Sequence, residues 1–442
     1  MDLKAIEQAP AQDGYLVSPG QAWFAFAMTL ALMVFDYVDR QVIVSLFPYL
    51  KAEWSLSDKQ LGALVSVVSV TVALGALPVA LFADRVSRVK SIVAMATIWS
   101  LATISCMWAR SYGVLVVARA TVGLGEAGYG SVGAALIASH FPSRLRGALL
   151  AGFFASASVG SVLGVMLGGV IAAKWGWQAA FGVVGVPGLL LALLYLKVRD
   201  YDTVKLAPTL DAKRESIGEA VKHIARVLAR TRTMLWVCIG GAAQLIVVSA
   251  LWSWLPSFLN RVHGVVPAQA GIKAAIVVLA GAAGAVIWGA VVDRAGVRHP
   301  RRKLAVLAAL CVASMAVLVA AFGLPLQAPA QFALIAVGGF LATCTVGPVS
   351  AIVIDVIHPG VRATGSSVLA LFQNLFGLAA GPFLAGVLSD AWGLVPALTA
   401  IPLFALLAAG AFLLAAGSYE GDKARAAEPI ELQPTGVRSA LA

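Results

Sequence analysis

A chain of 442 residues with 60% hydrophobic side chains and only 12% charged ones cannot clothe a water-facing surface, which excludes an ordinary soluble enzyme. Its apolar runs are continuous rather than alternating, so a membrane β-barrel is excluded too. The net charge of +11 is gathered in clusters between those runs, a pattern of membrane topology and not of a nucleic-acid-binding face.

In chain order, Met1 to Gly20 carries Asp2, Glu7, Asp13 and two prolines where a removable signal would have a basic patch and a cleavage site; 1–20 therefore reads as a cytoplasmic tail. Twelve apolar runs follow, near 22–48, 58–83, 91–109, 113–139, 147–173, 177–197, 233–258, 270–292, 303–323, 330–357, 363–388 and 394–416. A crossing needs roughly 20 such residues, so the expected architecture is an all-α polytopic membrane protein of twelve transmembrane helices. Six-helix bundles are expected over 21–198 and 233–417, joined by the charged linker 199–232, which has helix-like content around Glu215 to Arg230. Residues 418–442 read as a charged cytoplasmic tail, disordered beyond Tyr419. Ser57 followed by Gln60 is a capping-box pattern at the start of the second run, with Leu56 and Leu61 placed to staple it.

Alternate connections are rich in basic residues: Arg85, Arg88 and Lys90; Arg144 and Arg146; the 199–232 linker; Arg294 to Lys303; and Arg362. The intervening ones offer only Lys51, Lys59, Arg110, Lys174 and Arg261, so both termini are expected in the cytoplasm. Shifting the chain by 217 residues superimposes Pro142 on Pro359, Gly160 on Gly377, Gly164 on Gly381, Gly169 on Gly386 and Trp175–Gly176 on Trp392–Gly393. Parallel repeats of this kind build secondary transporters, with a substrate site between the halves.

Ionisable residues inside spans are costly and generally face a cavity or each other. The first run holds Asp36, Asp39 and Arg40 on one helical face, and the fourth holds Arg119 and Glu126, seven apart. An Arg40–Glu126 ion pair that opens when Glu126 takes a proton would tie proton occupancy to conformation. Arg119 suits an anionic head group or, equally, a tie between helices. Candidate polar and aromatic positions in the second half include Gln244, Trp252, Gln373 and Asn374. Asp84 and Asp293 end the second and eighth runs near the helix starts that begin with Arg362 and Arg146; they are expected to gate the cytoplasmic side together with Arg85, Arg88 and Arg294. Gly123-x-Gly125-x-x-Gly128 fits a dinucleotide fingerprint by letter, but it lies in an apolar run and follows no strand, so close helix packing is the expected role. The cysteines Cys106, Cys238, Cys311 and Cys344 lack ligand-like spacing, and the histidines scatter; no metal, cofactor or catalytic constellation is expected.

The segment Ala80-Leu-Phe-Ala-Asp84-Arg85-Val-Ser87-Arg88-Val-Lys90 resembles the loop signature of the major facilitator superfamily, and Gly289 to Gly296 resembles its second copy. Phe35-Asp36-Tyr37-Val38-Asp39-Arg40, Leu50-Lys51-Ala52-Glu53, Leu56-Ser57-Asp58 and Gly123-Leu-Gly125-Glu126-Ala127-Gly128-Tyr129 are similar to the Spinster family within it. The resemblance implies alternating access, proton coupling through Asp39, Arg40 and Glu126, and a lipid-like anion such as a lysophospholipid or sphingoid phosphate. It adds Tyr129 to the candidate substrate contacts. A monomeric transporter of a bacterial inner membrane is expected, with a small-molecule or lipid substrate and protons as its partners and no nucleic acid. A symporter of a small aromatic or sugar acid is the alternative, and a non-transporting receptor a more remote one.

Overall fold

The structure is a computed structural model describing residues 14–85, 87–200, 231–297, 299–357 and 362–427, and all regular structure among them is helical. The first six crossing segments are α1 (Pro19–Trp54), α2 (Asp58–Arg85), α3 (Arg88–Trp108), α4 (Tyr112–Glu126 and Tyr129–His140), α5 (Ser143–Trp175) and α6 (Trp177–Tyr195). The other six are α7 (Arg232–His263), α8 (Pro267–Gly296), α9 (Arg302–Gly323), α10 (Ala328–Asp355), α11 (Arg362–Phe372, Gln373–Leu378 and Ala380–Trp392) and α12 (Leu394–Ala400, Ile401–Leu403 and Phe404–Ala427). An even number of crossings returns the chain to the side where it began, here called the terminal side, with the far side opposite.

Among the described residues, 11 helical segments are long and apolar enough to span a membrane. The twelfth, α4, is interrupted at Ala127–Gly128, where Gly128 takes a φ of +82° and leaves pieces of 15 and 12 residues. Such a break survives at membrane depth only where protein or a cavity, not lipid, receives the freed backbone groups. Trp108, Trp175 and Trp392 end α3, α5 and α11 on the far side and are all strongly exposed, forming an interfacial aromatic belt.

The capping box forms as its sequence predicts: Ser57 N–H donates to Gln60 Oε1 at 2.9 Å, and Gln60 N–H to Ser57 Oγ at 3.2 Å. The internal repeat is equally visible. Gly176 and Gly393, both following tryptophan, adopt φ of +83° and +89°. Gly160, Gly164 and Gly168, recurring every four residues, make a smooth ridge on α5 that lies on α1, where a β-carbon at Gly164 or Gly168 would come within 2.6 Å of the carbonyl oxygen of Val38 or Val42. Its echo in α11 lies on α7, with a β-carbon at Gly381 meeting the Ile246 carbonyl oxygen at the same 2.6 Å. Gly164→Leu should therefore overpack the α1–α5 seam, with an expected cost of about 1–3 kcal/mol read as a lower melting temperature in detergent. A melting temperature equal to the parent's would show that the ridge tolerates bulk.

Two sequence boundaries need correction. The last helix does not stop near 416 but continues through Ala427, because its extension is tied to other helices: Tyr419 Oη donates to Asp355 Oδ2 at 2.8 Å, and Asp422 Oδ2 accepts the Thr233 N–H at 2.8 Å, capping α7. The first helix begins at Pro19, inside the expected tail. The linker helix around Glu215 to Arg230 lies outside the described residues, as do 1–13 and 428–442.

Candidate functional site

The ionisable residues of α1 and α4 form one cluster. Arg40 Nε donates to Asp36 Oδ1 at 2.8 Å, the i,i+4 pair expected along α1, and lies 3.0 Å from Glu126 Oε2. Its N–H is aimed at Asp36, so the Glu126 pair is electrostatic: both Glu126 oxygens are sealed from solvent and neither accepts a hydrogen bond among the described residues. Glu126 closes the first piece of α4, immediately before the Ala127–Gly128 break. The break thus fixes the height at which this carboxyl group meets α1.

Asp39 points to a different partner. Arg119 Nη1 donates to its Oδ1 at 3.0 Å and to its main-chain oxygen at 3.2 Å, while Thr103 in α3 donates to Oδ2. Arg119 and Asp39 are sealed, with side chains 0% and 2% exposed. Arg119 Nε and Nη2 find no acceptor among the described residues. Of the two roles left open for Arg119, the tie between helices is the one this geometry displays. Arg40, at 17%, has much the largest side-chain exposure in the cluster, and its guanidinium lies 5.3 Å from the Tyr37 ring centroid.

The charge count is uneven. Among the described residues, Asp36, Asp39 and Glu126 pair with Arg40 and Arg119, so with every group ionised this cluster carries one uncompensated negative charge, and a single proton balances it.

The expected substrate contacts divide by accessibility. Tyr129 is fully buried and donates to the Thr29 carbonyl oxygen at 2.6 Å. Gln244 is also buried, its Nε2 donating to Ser314 Oγ at 3.1 Å and to the Ala342 oxygen at 3.0 Å. Trp252, Gln373 and Asn374 are partly exposed. Gln373 and Asn374 open a π-helical stretch, Gln373–Leu378, that carries the exposed Phe376 ring against Phe372. One-turn π distortions of this kind gather at functional sites. The Trp252 indole N–H is enclosed yet has no acceptor among the described residues.

Among the described side chains, those expected at the gate are spread over separate helices. Arg88 reaches α4, donating to the Ala135 oxygen and to Ser139 Oγ, both at 3.3 Å. Arg146 donates to the nearby Phe141 oxygen at 2.8 Å. The Asp293 carboxylate, 64% exposed, is 4.0 Å from Lys303 in α9 instead of reaching α5, and Arg294 borders an open cleft between α8 and α9. The side chains of Asp84, Arg85 and Arg362 lie outside the described ones.

The closure that does appear is on the far side, and sequence reasoning missed it. Asp390 in α11 accepts the N–H groups of Asp58 and Lys59, both at 2.8 Å, capping the first turn of α2 from the other half of the chain. The buried Asp58 carboxylate in turn receives Lys51 Nζ at 2.5 Å, Arg261 Nη1 at 2.7 Å and Ser389 Oγ at 2.5 Å. Deeper along the seam, Ser66 Oγ donates to the Ala379 oxygen at 2.5 Å. Lys51, Lys59 and Arg261 read in the sequence as scattered loop charges; the signal was Asp58, an acidic residue in a first helical turn among basic neighbours.

The glycines of the 123–128 segment have the packing role expected of them. A β-carbon at Gly123 would meet the Val68 oxygen in α2 at 2.5 Å, and one at Gly125 the Trp99 nitrogen in α3 at 2.6 Å.

The model of the Major Facilitator Superfamily matches residues 29–382 and 237–439. Among curated proteins, the chain is 25% identical over 397 residues to protein spinster homolog 3 of Danio rerio, covering 85% of this chain and 78% of that one. It is 28% identical over 432 residues to the gallate transporter of Pseudomonas putida, covering 88% and 91%. Among solved structures, a bacterial homologue of the human lysosomal transporter Spinster, inward-facing and unoccupied, superimposes with a TM-score of 0.82 at 23% identity over 92% of this chain and 99% of that one.

Proposed function

Because the chain belongs to the Major Facilitator Superfamily of membrane transporters, we propose that it is a proton-coupled secondary transporter of the Spinster type, moving an amphiphilic, lipid-like anion by alternating access. The observation that carries the coupling is the buried cluster of three carboxyl groups and two guanidiniums, in which Glu126, with no hydrogen bond among the described residues, is paired with Arg40. A proton on Glu126 neutralises the cluster and leaves Arg40, the accessible member, held by Asp36 alone, so that its remaining N–H groups can take an anionic head group. Without that proton, Arg40 is retained by Glu126 and Asp36. Proton and anion therefore favour each other's binding, which is the requirement for coupled movement. Asp39 and Arg119 hold α1, α3 and α4 in the register that brings Arg40 and Glu126 together.

Trp252, Gln373 and Asn374 form the opposing wall in this proposal, polar at a few points and otherwise aromatic, as a body with a long apolar part requires. The free indole N–H of Trp252 is the donor most suited to a substrate oxygen. Trp252→Phe keeps the ring and removes that donor, so substrate affinity should fall about five- to tenfold with little change in melting temperature. An unchanged affinity would remove Trp252 from the site.

A second reading, a symporter of a small organic acid, is favoured by the similarity to the gallate transporter. The two are separated by uptake into proteoliposomes under an imposed pH gradient, with lysophospholipid and gallate as alternative substrates. Gradient-driven movement of lysophospholipid is expected. Movement of gallate alone would select the second reading, and movement of neither at any gradient would reject both.

A further inference from the structure

We propose that the cleft between the terminal-side ends of α8 and α9 binds the phosphate head group of an anionic membrane phospholipid. The cleft has a volume of about 590 Å³, and Arg294 and Arg302 stand at its rim. Its wall on α9 is formed by Arg302, Ala305, Val306 and Ala309, whose spacing places them on one helical face. Val297 closes the turn between the helices and is 80% exposed. The cleft thus has two cations at one edge and a small-residue apolar slot descending from them along a membrane helix.

Charge accounting at this corner singles out the two arginines. Arg301 pairs with Glu420 at 2.8 Å, and Lys303 lies 3.4 Å from Asp355 and 4.0 Å from Asp293. Neither Arg294 nor Arg302 has a carboxylate partner among the described residues, although both are exposed and border the same space. Guanidinium groups match phosphate oxygens in a two-pronged geometry, and Ala305 and Ala309 leave room for the acyl chains beside α9. Basic pockets between helices at the edge of a bilayer are suited to anionic head groups. The occupant is a lipid and not free phosphate, because the apolar slot contributes only when chains accompany the head group. This inference stands apart from the proposed proton coupling and substrate wall, which use neither arginine.

The test uses the full chain purified in a neutral detergent, with phosphatidylglycerol, phosphatidylcholine and soluble glycerol phosphate as probes, read by native mass spectrometry and by melting temperature. Phosphatidylglycerol should remain bound and raise the melting temperature, while the other two should not. The Arg294→Gln/Arg302→Gln protein should bind phosphatidylglycerol about thirtyfold more weakly, from about 1 kcal/mol per cation. Its melting temperature without lipid should match the parent's, since neither side chain makes an ion pair or hydrogen bond among the described residues, and Arg301→Gln serves as the paired control. Equal phosphatidylglycerol binding by the double variant, equal retention of phosphatidylcholine, or an equal response to glycerol phosphate would each overturn the assignment. Glu126→Gln should bind phosphatidylglycerol as the parent does, so failure of the transport reading leaves this result distinguishable.

Discussion

Replacing Glu126 with Gln should abolish accumulation driven by a pH gradient while leaving folded protein that still exchanges substrate across the membrane. The side chain keeps its shape and loses its charge. Because Arg40 retains its 2.8 Å contact with Asp36, no cation is left unpaired, and the stability change should stay within about 1–2 kcal/mol. Exchange by the variant should no longer depend on pH, because the group that takes and gives the proton is gone. Asp39→Asn makes the contrast. Arg119 is sealed and has Asp39 as its carboxylate partner, so neutralising Asp39 breaks its direct buried ion pair, at a cost of about 3–5 kcal/mol. Loss of folded protein is expected there, and loss of coupling in the other. If Glu126→Gln still accumulated substrate under the same gradient, the proton would have to be carried elsewhere.

Much of this arrangement was legible in the chain because it follows from local spacing and from the expense of charge in hydrocarbon. Asp36 and Arg40 are one turn apart, and Glu126 was the free carboxyl group of the fourth span, so their meeting needed only two helices placed side by side. The glycine ridges were readable for a similar reason: a smooth stripe has to lie against something, and the repeat supplied two equivalent stripes. Partner choice was not readable. Which arginine binds which aspartate depends on the rotation of α4 about its axis, and that rotation is set by its glycines against Val68 and Trp99 and by the break after Glu126. A run of apolar letters through 113–139 shows no such break, because neither Ala127 nor Gly128 is charged; the backbone reveals it, in the ψ of 124° at Ala127 and the positive φ at Gly128. The far-side seam escaped for another reason, since it joins residues 331 and 332 positions apart that lie at ends of spans, where isolated charges are ordinary.

That seam leads to the second large effect. In the far-closed state, Asp58 is the shared acceptor for Lys51, Arg261 and Ser389, and Arg261 and Ser389 come from the opposite half of the chain. Asp58→Asn removes the charge while keeping the side chain's size, so the two cations lose their anion together and the closed state loses several kilocalories per mole, on the scale of about 3–5 kcal/mol for a broken buried pair. The penalty falls on this conformation selectively, because separating α2 from α11 exposes the same groups to water, where the pairs contribute little. The population should therefore move toward a far-open state. A cysteine at position 66, buried in the α2–α11 seam where Ser66 now bonds to the Ala379 oxygen, is a suitable reporter. The four native cysteines are all buried, so background labelling is low. With Asp58→Asn added, a membrane-impermeant thiol reagent applied from the far side should label that cysteine at least about tenfold faster, the equivalent of about 1.4 kcal/mol. Asp390→Asn should act in the same direction but more weakly, since an amide oxygen can still accept one of the two N–H groups at the start of α2. Labelling that stays at the parent rate in a correctly folded Asp58→Asn protein would mean that the helical seam beneath, with its close backbone contacts at Gly62 and Gly386, holds the far side shut without the charges.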